Sequence, residues 1–197
     1  PPRDVKGTEI NEKSITISWK RPSNGHYTGY DLNYVVDPNV TSISVGRSAT
    51  SITLSNLGPA TNITFRVRTY VNFTDIPLVR YSRTITITQL TKPLPPLAGS
   101  VVANAINSTS IKLDWKEPER KPKGGYDGYR INISPPDENN ENNTFLDQKL
   151  FSFTITNLYP GRLYSLSVRS VKATQESRGA FANGGAGQLT KPSPPGE

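Results

Sequence analysis

Apolar residues along this chain recur at every second position in short runs. Ile15, Ile17 and Trp19 form one run, Tyr30, Leu32 and Tyr34 a second, and Ile63, Phe65 and Val67 a third. The pattern returns farther on with Ile111, Leu113 and Trp115, then Tyr129, Ile131 and Ile133, then Tyr164, Leu166 and Val168. A period of two puts alternate side chains on opposite faces of an extended backbone, so each run predicts an antiparallel strand with one face toward a core and one toward water. No window of helical length carries a 3.6-residue apolar stripe. Turn signals at Asn24-Gly25, Leu57-Gly58-Pro59, Lys123-Gly124-Gly125 and Pro160-Gly161 break the chain at spacings suited to short strands.

The runs belong to a duplication. The phrase "LTKPLPP" begins at Leu90 and "LTKPSPP" at Leu189, 99 positions later. "SITISWKRP" (Ser14 to Pro22) answers "SIKLDWKEP" (Ser110 to Pro118), and "GYDLNY" at Gly29 answers "GYRINI" at Gly128. "LSNLGPATNITFRV" (Leu54 to Val67) lies over "ITNLYPGRLYSLSV" (Ile155 to Val168). Proline fixes φ and cannot donate to a ladder, so the repeated phrase marks strand ends and linkers. The chain therefore divides into 1–91 and 92–197, units of a size that folds around one core. Many short strands with one tryptophan near the second strand predict an all-β architecture, two consecutive antiparallel β-sandwiches. The ending "TKPSPPGE" repeats the phrase at Thr91, so 192–197 reads as the start of a following repeat in a longer array.

A Trp on the second strand, a Tyr opening the third, a Leu-x-Pro-x-x-x-Tyr segment leading into the sixth, and no cysteine resemble the fibronectin type III domain, an immunoglobulin-like sandwich. The resemblance covers essentially the whole chain, twice. Trp115, Tyr129, Leu158, Pro160 and Tyr164 carry it in the second domain, and Trp19, Tyr30, Leu57 and Pro59 in the first, where Ile63 stands in place of the corner tyrosine. The resemblance implies that the Tyr164 hydroxyl bonds back to the chain near the preceding corner. The first domain then does without a bond worth about 1 kcal/mol. The segment "GGYDGYRINISPP" (Gly124 to Pro136) is similar to the third-strand region of fibronectin-type repeats in receptor-type tyrosine phosphatases, the class with all-fibronectin ectodomains. That similarity implies a single-pass cell-surface receptor in adhesion-linked or axonal signalling, with a cytoplasmic phosphatase outside this chain. Cytokine receptors are disfavoured, because their cysteine pairs and Trp-Ser-x-Trp-Ser box are missing; muscle-type intracellular arrays share the fold.

Candidate chemistry changes this picture little. His26 sits in a Gly-rich turn, and one imidazole without any cysteine makes neither a zinc site nor a nucleophile-base pair. "NGGAG" at Asn183 lacks the Gly-Lys-Ser/Thr ending that cradles phosphate, and a loop or bulge before the last strand explains it. Asp114 and Asp127 occur singly. We therefore expect no enzyme, cofactor or metal in this segment. Six Asn-x-Ser/Thr sequons, at Asn39, Asn62, Asn72, Asn107, Asn132 and Asn142, exceed the roughly three that the composition gives by chance and favour extracellular exposure. Asn132 is the poorest acceptor, because Pro135 follows its sequon. No apolar run approaches the roughly 20 residues of a membrane span, and no charged-then-apolar signal segment opens the chain. The net charge of +7 divides as ten Lys/Arg against six Asp/Glu in 1–91 and thirteen against ten in 92–197. It draws anionic partners without arguing for nucleic acid, since clustered basic runs interleaved with aromatics are missing. The basic "ERKPKGG" at Glu119 reads as a solvated loop.

Two classes of function stay open: a binding module of a receptor or adhesion protein, and a spacer holding length and orientation through a Pro-rich joint. For a binding module the expected contact is the first domain's face built from its third, sixth and seventh strands, with the loop from Asn72 to Arg80. If Ile63, Phe65 and Val67 point inward, Arg66 and Arg68 lie outward about 7 Å apart as a short basic row. The loop "NFTDIPLVRY" adds Phe73, Ile76, Leu78 and Val79 and brings Arg80 beside that row. Aromatic, aliphatic and arginine groups together suit a cell-surface or matrix protein ligand, or an anionic glycan. The same loop could instead fold back over its own core or pack on the second domain, and a glycan at Asn72 would shield part of the surface.

Overall fold

The computed structural model describes residues 1–36, 38–73, 77–122, 125–136, 143–147 and 149–194. The chain folds as two compact units, Pro1–Lys92 and Pro93–Glu197. Among the described residues, the first unit holds β1 (Arg3–Thr8), β2 (Ile15–Lys20), β3 (Gly29–Val36), β4 (Asn39–Gly46), β5 (Ser51–Leu54), β6 (Asn62–Asn72), β7 (Val79–Tyr81) and β8 (Ile85–Leu90). They form a sheet β1-β2-β5 and a second sheet β4-β3-β6-β7 in which β8 also pairs with β6. The second unit holds β9 (Val102–Ala105), β10 (Ile111–Asp114), β11 (Gly128–Ser134), β12 (Asn143–Asp147), β13 (Ser152–Ile155), β14 (Leu163–Lys172), β15 (Gln175–Glu176), β16 (Ala180–Phe181) and β17 (Gln188–Leu189). Its sheets are β13-β10-β9 and β12-β11-β14, with β15, β16 and β17 each on β14. Both units are antiparallel β-sandwiches.

The alternation in the sequence is the alternation of burial. Ile15, Ile17, Trp19, Leu32, Ile63, Phe65 and Val67 face one core, and Ile111, Leu113, Trp115, Ile131, Tyr164, Leu166 and Val168 face the other. In each core the tryptophan meets the tyrosine that opens the next strand, Trp19 on Tyr30 at 5.2 Å between ring centroids and Trp115 on Tyr129 at 5.5 Å. Burial and the Tyr27 hydroxyl push the Tyr30 phenol up to about 12.

The repeated threonine of each "LTKP" phrase is a clamp. Thr91 and Thr190 are buried. The Thr91 hydroxyl donates to the carbonyl of Gly58 at 2.7 Å and accepts the N–H of Thr61 at 2.8 Å. Thr190 does the same for Tyr159 at 2.7 Å and Arg162 at 2.9 Å. Buried backbone groups at the corner before β6 and β14 thus find partners that no ladder offers. Tyr164 adds the expected corner bond, its hydroxyl accepting the Tyr159 N–H at 3.0 Å. Ile63, its counterpart, is buried and has no hydroxyl to offer.

The seventh strand is broken in both units. Ser82 and Ser177 each accept a neighbouring β6 or β14 N–H, from Thr69 and Ser170, with their side-chain oxygens at 3.0 Å, and donate to the next carbonyl, so the strand kinks there. In the second unit Asn183, Gly184, Gly185 and Gly187 break it again, all with positive φ. That accounts for the Gly-rich run, and the Asn183 amide pairs with both backbone groups of Ala103 on β9 at 3.1 Å.

Candidate functional site

The outward side of β6 carries Thr64, Arg66, Arg68 and Tyr70, because Ile63, Phe65 and Val67 take the inward positions. Register sets their neighbours. Arg66 lies between Asn33 of β3 and Thr86 of β8, and Arg68 lies beside Asp31. Arg68 donates from Nε to Asp31 Oδ2 at 2.8 Å, and its Nη2 is 2.7 Å from the same oxygen. Its guanidinium carbon stands 3.6 Å from the centroid of the Tyr81 ring. Asp31 is buried and Arg68 half-buried, so the pair sits in a setting where a charge needs both its counterion and its hydrogen bonds.

This geometry corrects the expected basic row. Arg68 is neutralised and stacked, which leaves Arg66 exposed, and among the described residues no carboxylate pairs with it. Arg80 does not join it either. On β7 Arg80 lies opposite Val71 and Tyr81 opposite Tyr70. Parity along β6 therefore gives Arg80 the side of Val67 and gives Tyr81 and Val79 the side of Arg68.

What the β6–β7 hairpin holds is an aromatic and aliphatic rim, with Tyr81 and Val79 on the side of Arg68 and, by the same parity, Phe73 and Leu78 on the side of Arg80. Tyr81 is 50% exposed, Val79 42%, Phe73 42% and Leu78 38%. The Phe73 N–H donates to the Leu78 carbonyl at 3.2 Å, and both side chains are partly exposed. Ile76 lies outside the described residues. A shallow pocket of about 210 Å³ opens beside the rim, lined by Asp31, Ser44, Tyr70, Asn72, Val79 and Tyr81. Asp31, Tyr70 and Tyr81 were not singled out from sequence, because their meeting depends on the register of strands far apart in the chain.

The second unit keeps the scaffold and exchanges the chemistry. Arg130 takes the place of Asp31 and lies opposite Arg169, which corresponds to Arg68. Glu176 takes the place of Tyr81. Its carboxylate reaches Arg130 Nε at 2.7 Å and Arg169 Nη1 at 3.9 Å. Two like charges side by side on neighbouring strands need that carboxylate between them.

Of the sequons, Asn39, Asn62, Asn72 and Asn107 are exposed, Asn132 is half-buried on central strand β11, and Asn142 lies outside the described residues. His26 is exposed in its turn. Asp114 pairs with Lys112 at 3.1 Å. Asp127 accepts the Ala173 N–H at 2.6 Å and the Lys172 ammonium at 3.0 Å, which together hold its carboxyl below the usual range. Among the described residues no group of His, Cys, Asp or Glu is arranged to hold a metal ion, and no helix is long and apolar enough to cross a membrane.

Comparison with known proteins agrees with this architecture. The chain is 29% identical over 187 residues to the Tyrosine-protein phosphatase Lar of Drosophila melanogaster, a match covering 87% of the chain and 9% of that protein's length. A two-domain fibronectin type III segment from chicken tenascin superposes with a TM-score of 0.53 over 96% of this chain and 98% of its own, at 21% identity. The model of the fibronectin type III domain matches residues 1–78 and again 95–183. With its paired cores, threonine clamps and corner tyrosine, the chain belongs to the fibronectin type III family, as two consecutive domains of it.

Proposed function

We propose that this chain is an extracellular ligand-binding segment of a cell-surface receptor, of the receptor-type tyrosine phosphatase kind, and that its first domain contacts a protein partner. The observation that carries this reading is the cluster of exposed apolar side chains on the β6–β7 hairpin, Val79 and Tyr81 beside the pocket over Asp31 and Phe73 and Leu78 at the hairpin's end. Large apolar groups partly exposed at one sheet edge, with an exposed arginine farther along strand β6, match the make-up of contact hot spots. The likeness to Lar supports the receptor class, and the exposed sequons support passage through the secretory pathway. Arg66 adds long-range attraction for an acidic partner, and an anionic glycan is the weaker candidate because Arg68 is neutralised.

The test uses the whole chain fused to a dimerising tag, applied to animal cells displaying surface proteins. Phe73→Asp with Leu78→Asp abolishes binding while the melting midpoint stays where it was. Equal binding by this variant overturns the proposed contact face, and no binding by the wild-type chain to any cell favours the spacer alternative. Immobilised heparin supplies the glycan arm. Arg66→Glu weakens retention at low salt more than at physiological salt if a glycan is engaged. Arg68→Glu is avoided because it would set a second carboxylate against Asp31.

A further inference from the structure

Strand β4, Asn39–Gly46, ends its sheet, pairing with β3 on one side only among the described residues. Its sequence is NVTSISVG, without a charge or a proline, and Val40 is 62% exposed. A long uncharged edge is a template for another strand. Other edges among the described residues are blunted or short, β9 and β13 being four residues each. β1 carries Arg3, Asp4 and Lys6 and a register shift, β7 carries Arg80, and β12 is shorter and ends on Asp147. β5 is four residues long. β8 has β1 beside it, close enough that a Cβ on Gly7 would lie 2.8 Å from Gln89. Only β4 is both long and uncharged among these edges, and it begins with an exposed sequon, Asn39-Val40-Thr41.

We propose that Asn39 carries an N-linked oligosaccharide that guards β4 against pairing with β4 of a second copy; this rests on the extracellular reading. The Asn39 amide nitrogen attacks the anomeric carbon of a lipid-diphosphate oligosaccharide. The new C–N bond replaces the C–O bond to the diphosphate, the nitrogen loses one proton, and the lipid diphosphate leaves. A second copy is the fitting occupant because an antiparallel pair of identical strands meets no like-charge repulsion when the strand has no charge. A two-fold joint centred between Ser42 and Ile43 sets Asn39 of one copy opposite Gly46 of the other. Two glycans would then stand at the two ends of the joint and hold the edges apart.

The whole chain is produced in secreting animal cells, and the occupancy of each sequon is measured by mass spectrometry after enzymatic release in heavy-oxygen water. Association is followed by light scattering on a sizing column across the micromolar to millimolar range. We expect Asn39 to be occupied and the glycoprotein to be a monomer of the 21.6 kDa polypeptide plus its sugar. Thr41→Ala, which removes the sequon and keeps Asn39, doubles the mass as concentration rises. Adding Val40→Lys, a charge on the bare edge, returns the protein to monomer. A bare Asn39 with glycan at Asn62, Asn72 or Asn107 overturns the proposal and leaves the extracellular reading standing. No glycan at any sequon overturns both. An occupied Asn39 with a Thr41→Ala protein that stays monomeric overturns the guarding role.

Discussion

Replacing Thr190 with valine removes one oxygen and very little volume. Thr190 is 1% exposed, and its hydroxyl lies between the Tyr159 carbonyl at 2.7 Å and the Arg162 N–H at 2.9 Å, so both lose their partner at once. Two net hydrogen bonds with partly stranded backbone groups amount to about 2–3 kcal/mol. The extra methyl recovers less than about 1 kcal/mol by burial. A net loss of about 2 kcal/mol lowers the melting midpoint of the second domain by roughly 10 °C at this domain size. Urea titration of the whole chain in a Trp19→Phe background, with Trp115 fluorescence reporting, isolates that transition. The first domain, clamped by Thr91, must not move. Thr91→Val, read from Trp19 in a Trp115→Phe background, costs the first domain at least as much, because Ile63 supplies no corner hydroxyl. A loss below about 0.5 kcal/mol, within the range of an ordinary surface substitution, would refute the clamp.

Tyr164→Phe costs the second domain about 1 kcal/mol, and less than additively with Thr190→Val because both hold Tyr159; an unchanged midpoint would dismiss the corner bond. Gly29→Ala and Gly128→Ala each destabilise their own domain by about 1–3 kcal/mol, since a Cβ there would run into the Val45 carbonyl or the Leu146 carbonyl of the neighbouring strand. Denaturation midpoints equal to wild type would show the neighbouring strand free to give way. Asp127 has a folded pKa below its unfolded value, through the Ala173 N–H first and Lys172 second. Its contribution is therefore complete above about pH 4 and lost as pH falls further. Asp127→Asn should flatten the acid limb of the second domain's stability profile, and parallel profiles would rule the effect out.

Burial pattern and duplication were determined by the sequence alone, since a period of two assigns each residue of a strand to a face before any partner strand is known. Ile63, Phe65 and Val67 had to share one side, and "LTKPLPP" answering "LTKPSPP" required two like units. The function of that phrase was not legible in it. Thr91 and Thr190 read as punctuation, and only the folded corner shows them satisfying groups about thirty residues back along the chain. The candidate face depended still more on tertiary structure. Alternation along β6 turns Arg66 and Arg68 outward, yet Asp31 and Arg68 are 37 positions apart, and nothing local states that they lie side by side. A slip of one residue in pairing turns every side chain of a strand to the other face. The register of β7 on β6 thus put Tyr81 over Arg68 and turned Arg80 away, and the corresponding register in the second domain joined Arg130, Arg169 and Glu176 instead. Alternation is a property of one strand, whereas charge pairing is a property of two, and the second strand's position is decided by the core both must bury.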